Sequence, residues 1–275
     1  MIARSFARDL APRLKAAGVP DAMFEAELIT RAAGGLSRAQ YLAGEALDDE
    51  AERRARSLAD RRLQCEPTAY VTGYREFYGR LFRVTPDVLI PRPETELLVD
   101  VVLAELREVP SAVVADVGTG SGCIATSIAL ERPKGGRTIA IDRSVAALAV
   151  ATENARHHRA AVACVLGDLA APLRQADIIV ANLPYIPSAE IADLQREVRD
   201  WEPRIALDGG IDGLALVRRL VEDCASRLRP SFLALEIGLG QAQEVADLLQ
   251  SRGDGAMEIH KDLAGIERVV TARWR

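Results

Sequence analysis

Aromatic residues make up only 4% of this 275-residue chain, and it holds three histidines and four cysteines. With so few rings, Ala, Leu, Val and Ile must fill the interior, and a 49% hydrophobic content suffices for one large core and one small one. Cys65, Cys123, Cys164 and Cys224 are widely scattered, with no metal-type pair. That spacing excludes a zinc finger and a disulfide framework, and it fits reduced thiols in a cytoplasmic protein with no metal site. His157, His158 and His260 have neither a nucleophile nor a metal partner in sequence, so structural use is expected. No run reaches the roughly eighteen uninterrupted apolar residues of a membrane helix. Arg4, Arg8, Asp9, Arg13 and Lys15 occupy the place of a signal peptide's apolar region, so neither membrane attachment nor secretion is expected.

A basic excess is missing as well. Residues 1–72 carry 11 Lys or Arg and 11 Asp or Glu, leaving 24 basic against 29 acidic residues in the remainder and a net charge of −5. Enzymes of nucleic acids need a positive face for phosphates, so direct binding of nucleic acid is not expected. The one dense basic cluster, Arg53, Arg54, Arg56, Arg61 and Arg62, alternates with Glu50, Glu52 and Asp60 and is read as a solvated helix face.

The texture of the chain changes once. Residues 1–64 show helical periodicity broken by turn signals at Gly18-Val19-Pro20, Gly34-Gly35 and Gly44, which predicts a small helical bundle over 1–72. From Glu66-Pro67 onward the chain is expected to be extended, with a hairpin at Phe77 to Phe82 inside a linker over 73–90. Residues 91–275 then alternate strands and helices, an α/β pattern. The predicted strands are Ala112 to Val117, Thr138 to Ile141, Val162 to Leu166, Ile178 to Val180, Phe232 to Ile237, Met257 to His260 and Arg268 to Ala272.

The first of these runs through Asp116 into Gly118-Thr119-Gly120-Ser121-Gly122 and then a helix from Cys123 to Glu131. Glycines at alternate positions allow a tight turn and a close approach of ligand to backbone, and the unpaired amides of a helix start favour an anionic group. Cys123 stands at the place of the third glycine of a dinucleotide loop, and the spacing resembles instead the loop of S-adenosylmethionine (SAM) enzymes. Asp142 ends the second strand on the same sheet edge, where it can accept both ribose hydroxyls or, alternatively, cap the next helix. After the third strand, Asp168 is a candidate acceptor for an adenine amino group and Leu169 a candidate face for the ring, with a plain turn as the alternative.

Asn182-Leu183-Pro184-Tyr185 follows the apolar run Ile178-Ile179-Val180. The Asn182 side-chain oxygen and the Leu183 carbonyl can accept both hydrogens of a planar NH2 group, since Pro184 holds Leu183 in an extended shape. Methyl transfer to an amide or amino nitrogen suits that pair. Tyr185 is expected to wall the acceptor pocket.

GYREFYGRLFRVTPDVLIPRPETELLVD at 73–100, DVGTGSGCIA at 116–125, ALDGGIDGLALVRRL at 206–220 and DLAGIERVV at 262–270 resemble the release factor glutamine methyltransferase family, the HemK/PrmC group. The resemblance implies a Rossmann-like class I SAM-dependent methyltransferase domain, with a mostly parallel seven-stranded sheet, behind a small N-terminal helical domain that recognises substrate. It implies SAM-dependent methylation of the glutamine amide in the Gly-Gly-Gln (GGQ) motif of class I peptide chain release factors, in support of translation termination, by an enzyme expected to be a monomer. Pro91-Arg92-Pro93-Glu94-Thr95-Glu96 resembles the family's active-site loop, which makes Arg92 and Glu96 candidates for shaping the substrate pocket. Leu183 departs from the family's usual Asn-Pro-Pro-Tyr and resembles the form found in adenine dimethyltransferases of ribosomal RNA. N6-adenine methylation of RNA or DNA is therefore the alternative chemistry.

Overall fold

The computed structural model describes residues 1–253 and 255–274, which divide into two compact units. The first comprises Met1–Tyr74 together with Gln195–Trp201, and the second Arg75–Leu194 together with Glu202–Arg275.

In the first unit, α1 (Ala3–Ala16), α2 (Ala22–Gly34), α3 (Arg38–Ala43), α4 (Asp49–Leu63) and α5 (Thr68–Thr72) follow one another. Phe6, Leu10 and Leu14 repeat at helical spacing on α1 and are buried. On α4, Ala51, Ala55 and Ala59 form a buried stripe of small side chains, which lets the helix approach α2 closely. Asp48 caps α4 by accepting the Ala51 amide at 2.7 Å, and acids in the first turn with Arg61 and Arg62 in the last complement the helix dipole.

Two expectations change here. The stretch after Glu66-Pro67 is not extended: Pro67 serves as the residue before α5, and Gly73, in the left-handed region at φ +83°, ends that helix. Nor is the arginine cluster wholly solvated. Arg54 and Arg56 pair with Glu50 and Glu52 one turn back, but Arg62 is 4% exposed and is held by Glu25 and, at 3.1 Å, by Glu197 of the returning segment.

The second unit opens within a hairpin, β1 (Tyr74–Phe77, its first residue belonging to the first unit) and β2 (Arg80–Arg83), then α6 (Glu96–Glu108), which follows a 3-10 turn at Pro93–Thr95. Next come β3 (Val113–Val117), α7 (Cys123–Glu131), β4 (Arg137–Asp142), α8 (Val145–His157), β5 (Val162–Leu166) and β6 (Ile178–Ala181). The short α9 (Arg196–Arg199) lies in the segment that belongs to the first unit, and α10 (Ala215–Asp223), β7 (Phe232–Glu236), α11 (Ala242–Gln250), β8 (Met257–Lys261) and β9 (Glu267–Arg273) complete the chain. The hairpin is no free linker, because Phe77 and Phe82 are buried in one apolar cluster with Leu98, Val102 and Ile178.

The sheet order is β5-β4-β3-β6-β7-β9-β8, parallel except for the antiparallel pairs that β9 makes with β7 and β8. Apolar clusters cover the sheet, and β6 and β7 are buried along their whole length, which is why they read as unbroken apolar runs. The seven-stranded, mostly parallel, Rossmann-like architecture matches the expectation. Strand order reverses between β3 and β6, so the carboxyl ends of those strands open the crevice where α/β sheets place their ligands.

Candidate active site

A cavity of about 970 Å³, counting the solvent at its mouth, lies at that switch point. The loop after β3, the ends of β4 and β5, the chain leaving β6 and the segment before α6 all line it.

Gly118, Gly120 and Gly122 each take positive φ, which is why the loop uses glycine. A Cβ on Gly122 would stand 2.9 Å from that of Ala151, and one on Gly118 would stand 3.0 Å from Leu183 Cδ2. The Gly118 and Thr119 amides donate to the Ile141 carbonyl at 2.8 and 2.9 Å, fastening the loop to β4. Asn154 of α8 reaches it from behind, donating to the Ser121 carbonyl at 2.8 Å.

Asp116 is fully buried at the end of β3. Its Oδ2 accepts the Thr119 hydroxyl at 2.6 Å and the Ala125 amide at 3.1 Å, whereas Oδ1 has no partner among the described residues. Burial pushes its carboxyl up to about 7, against the pull of those two donors, and neighbouring Asp142 adds to the rise. Asp142 accepts the Gly120 amide at 2.9 Å on Oδ2 and the Ser144 amide at 2.9 Å on Oδ1. Ser144, whose hydroxyl accepts the Ala147 amide, is the N-cap of α8, so Asp142 does not fill the capping place. Two acceptor directions remain on the Asp142 carboxylate for a ligand.

Asp168 and Leu169 both line the cavity. Asp168 is ion-paired with Arg219 at 2.6 Å, and Leu169 is buried in the left-handed region at φ +48°.

Asn182, Leu183 and Pro184 border the cavity from the end of β6. Asn182 Nδ2 donates to Thr95 Oγ1 at 3.2 Å, and among the described residues no donor reaches its Oδ1. Leu183 is 3% exposed. Arg92 lines the cavity while its guanidinium pairs with buried Glu202, which also accepts the Ile90 amide at 3.2 Å.

The structure brings together eleven of the sequence-predicted residues as cavity lining: Arg92, Gly118, Thr119, Gly120, Ser121, Asp142, Asp168, Leu169, Asn182, Leu183 and Pro184. Asp116 and Gly122 stand behind it and shape the loop. Tyr185 lies outside the lining: its carbonyl accepts Gln241 Nε2 at 3.0 Å, and its ring packs where a Gly238 side chain would be. Burial, with Glu236 and Glu94 nearby, pushes its phenol up to about 12, so it stays neutral. Glu96 also points elsewhere, since its Oε1 accepts the Tyr78 amide at 2.8 Å and so anchors the hairpin.

Sequence reasoning missed Thr95, the partner of Asn182, and Glu236, a buried acid that closes β7. An acid ending a fully apolar strand at the ligand-bearing edge of the sheet was the available signal for the second. Among the described residues no group of three His, Cys, Asp or Glu is placed to hold a metal, and no helix is long and apolar enough to cross a membrane.

The PrmC N-terminal domain family matches residues 7–73, and the methyltransferase small domain family matches residues 93–198. A protein of Moorella thermoacetica named release factor glutamine methyltransferase is 45% identical over 271 residues, 96% of this chain and 95% of that protein. Its namesake in Geobacter sulfurreducens is 41% identical over 262 residues, 93% of this chain and 91% of that protein. Among solved structures, the catalytic domain of hMettl16 in complex with the MAT2A 3'UTR hairpin 6 has a TM-score of 0.57 at 15% identity, covering 85% of this chain and 86% of that one, a likeness of fold.

Proposed function

Because the chain belongs to the release factor glutamine methyltransferase family, we propose that it uses SAM to methylate the side-chain amide nitrogen of the GGQ glutamine in class I peptide chain release factors. Translation termination in the cytoplasm is the setting this reading implies.

The cavity suits the cofactor. Its glycine loop faces open space at Gly120, where a Cβ would meet no atom within 4 Å, and Asp142 has acceptor capacity to spare for ribose hydroxyls. Gly118 to Ser121 would hold the amino-acid end, Asp142 the ribose, and Asp168 with Leu169 the adenine. SAM supplies an electrophilic methyl group on a sulfonium.

An amide nitrogen is a poor nucleophile, because its lone pair is delocalised into the carbonyl by the resonance that flattens peptide bonds. Accepting its two hydrogens at Asn182 Oδ1 and the Leu183 carbonyl draws electron density onto that nitrogen and fixes its direction of approach. Fixing the orientation of two reactants supplies several kcal/mol in bimolecular transfers. The observation that carries this reading is the Asn182 carboxamide on the cavity wall, its NH2 tied to Thr95 and its oxygen unclaimed.

The test is to incubate the wild type and Asn182→Ala with labelled SAM, a release factor and adenine-containing RNA, then read both acceptors by mass spectrometry. Methylated glutamine in the wild type is expected. Asn182→Ala should bind SAM with nearly unchanged affinity and lose most turnover, because the missing oxygen acts on the reacting nitrogen. Methylated adenine with unmodified glutamine overturns the assignment.

A further inference from the structure

One buried acid beside Asn182 has no part in the steps above. Glu236 is 2% exposed, and its Oε2 meets no hydrogen-bond partner among the described residues. In the parallel pair of β6 and β7, Ala181 stands opposite Leu235. Asn182 and Glu236, each one residue further on, therefore leave the sheet side by side at its carboxyl edge. Thr95 serves both: it accepts Asn182 Nδ2, and its hydroxyl, together with the Asn182 amide, draws the Glu236 carboxyl toward the charged form.

A carboxylate offers acceptors only. Beside a carboxamide it favours the orientation that turns NH2 toward it and disfavours the one that turns the carbonyl toward it. We propose that Glu236 is a positioning residue whose carboxylate holds the NH2 end of Asn182, directly and through Thr95, so that Oδ1 remains turned to the acceptor nitrogen. The proposal rests on the glutamine-methylation reading of the site. A protonated Glu236 is itself a donor and lets the carboxamide turn over.

Glu94, ahead of α6, opposes charge on Glu236, and Arg268 of β9 supports it. Tyr185 after β6 and Cys123 at the start of α7 are the other titratable groups that feel it. Burial pushes Glu236 up to about 7, so the orienting carboxylate forms as pH rises through neutrality.

Glu236→Gln keeps the shape and removes the charge, and its NH2 can donate to Asn182 Oδ1. Single-turnover methylation of a release factor is expected to fall by about tenfold to a hundredfold above neutral pH, with SAM affinity unchanged, since misplacing a contact to the reacting group acts on turnover. Wild-type turnover should rise with pH through about 7, and the variant should lack that limb. A second arm needs no acceptor: the Asn182 side-chain NH2 resonances, assigned by their loss in Asn182→Ala, should titrate in the wild type and stay flat in Glu236→Gln. If the wild type leaves the release factor unmethylated, the functional reading fails while this arm still tests the placement. Wild-type turnover and pH profile in Glu236→Gln, or Asn182 resonances that do not titrate, overturn the proposal.

Discussion

Asp142 Oδ2 accepts the Gly120 amide at 2.9 Å, so the acid that ends β4 holds the tip of the glycine loop after β3. The same carboxylate accepts the Ser144 amide and still has acceptor directions open to the cavity. Asp142→Asn is expected to weaken SAM binding by about 1 to 3 kcal/mol, because a charged acceptor is replaced by a neutral group with one acceptor oxygen. Ser144→Ala removes the cap of α8 and should cost roughly 1 kcal/mol of stability with SAM affinity unchanged. Calorimetry and urea unfolding of both variants separate the roles; unchanged affinity in Asp142→Asn would leave that residue a loop fastener only.

A pH effect follows from Asp116, whose folded-state carboxyl stands at about 7 against an ordinary 3.8. A raised acid pKa means that the folded state resists the charged form. The penalty is absent below the unfolded pKa, grows as pH rises between about 4 and 7, and is complete above. Asp116→Asn should therefore raise the melting temperature relative to wild type at mildly alkaline pH, with the gain shrinking toward zero near pH 4. A gain that is the same at both ends of the range contradicts the cause given.

Most of the sheet was legible because buried parallel strands read as short apolar runs: Ile178 to Val180 and Phe232 to Ile237 announce β6 and β7 within a residue of their ends. Glycine chemistry made the loop at 118–122 equally plain. Contacts between residues far apart in sequence were not legible. Nothing local marks Gln195–Trp201 as part of the first unit, or Arg62 as buried, since its alternation with acids is the pattern of an exposed helix. The resemblance of the 91–96 loop points to Glu96 as a pocket residue and leaves Thr95 unmarked. The 3-10 turn at Pro93–Thr95 instead puts the threonine on the cavity, and Glu96, opening α6, binds the hairpin amide of Tyr78.

Arg62 carries a prediction of its own. It is buried between Glu25 and Glu197, with Thr68 also donating to Glu25. Truncating one member of a buried ionic cluster strands the others, and such losses run to about 3 to 5 kcal/mol. Arg62→Ala should lower the urea midpoint by that order, whereas Arg53→Ala, on the exposed side of the same helix, should stay within about 0.5 kcal/mol. Equal small effects would show that the cluster contributes nothing to stability.

Leu183 is the one motif position where the chain leaves the pattern it resembles. Its amide makes no hydrogen bond among the described residues, so a proline there removes no bonded donor. Pro184 already restricts Leu183 to extended conformations, which a proline also prefers. The side chain is buried, however, with its Cδ2 standing close over Gly118, so a smaller ring loses apolar contact with the loop. Leu183→Pro is accordingly expected to keep glutamine methylation near the wild-type rate, since the carbonyl acceptor survives, and to lose about 1 to 2 kcal/mol of stability from reduced packing. Turnover measured with a release factor, beside the urea midpoint, tests both halves. A variant that folds stably but no longer methylates glutamine would mean that position 183 acts through its side chain, and that the acceptor geometry assigned to its carbonyl is wrong.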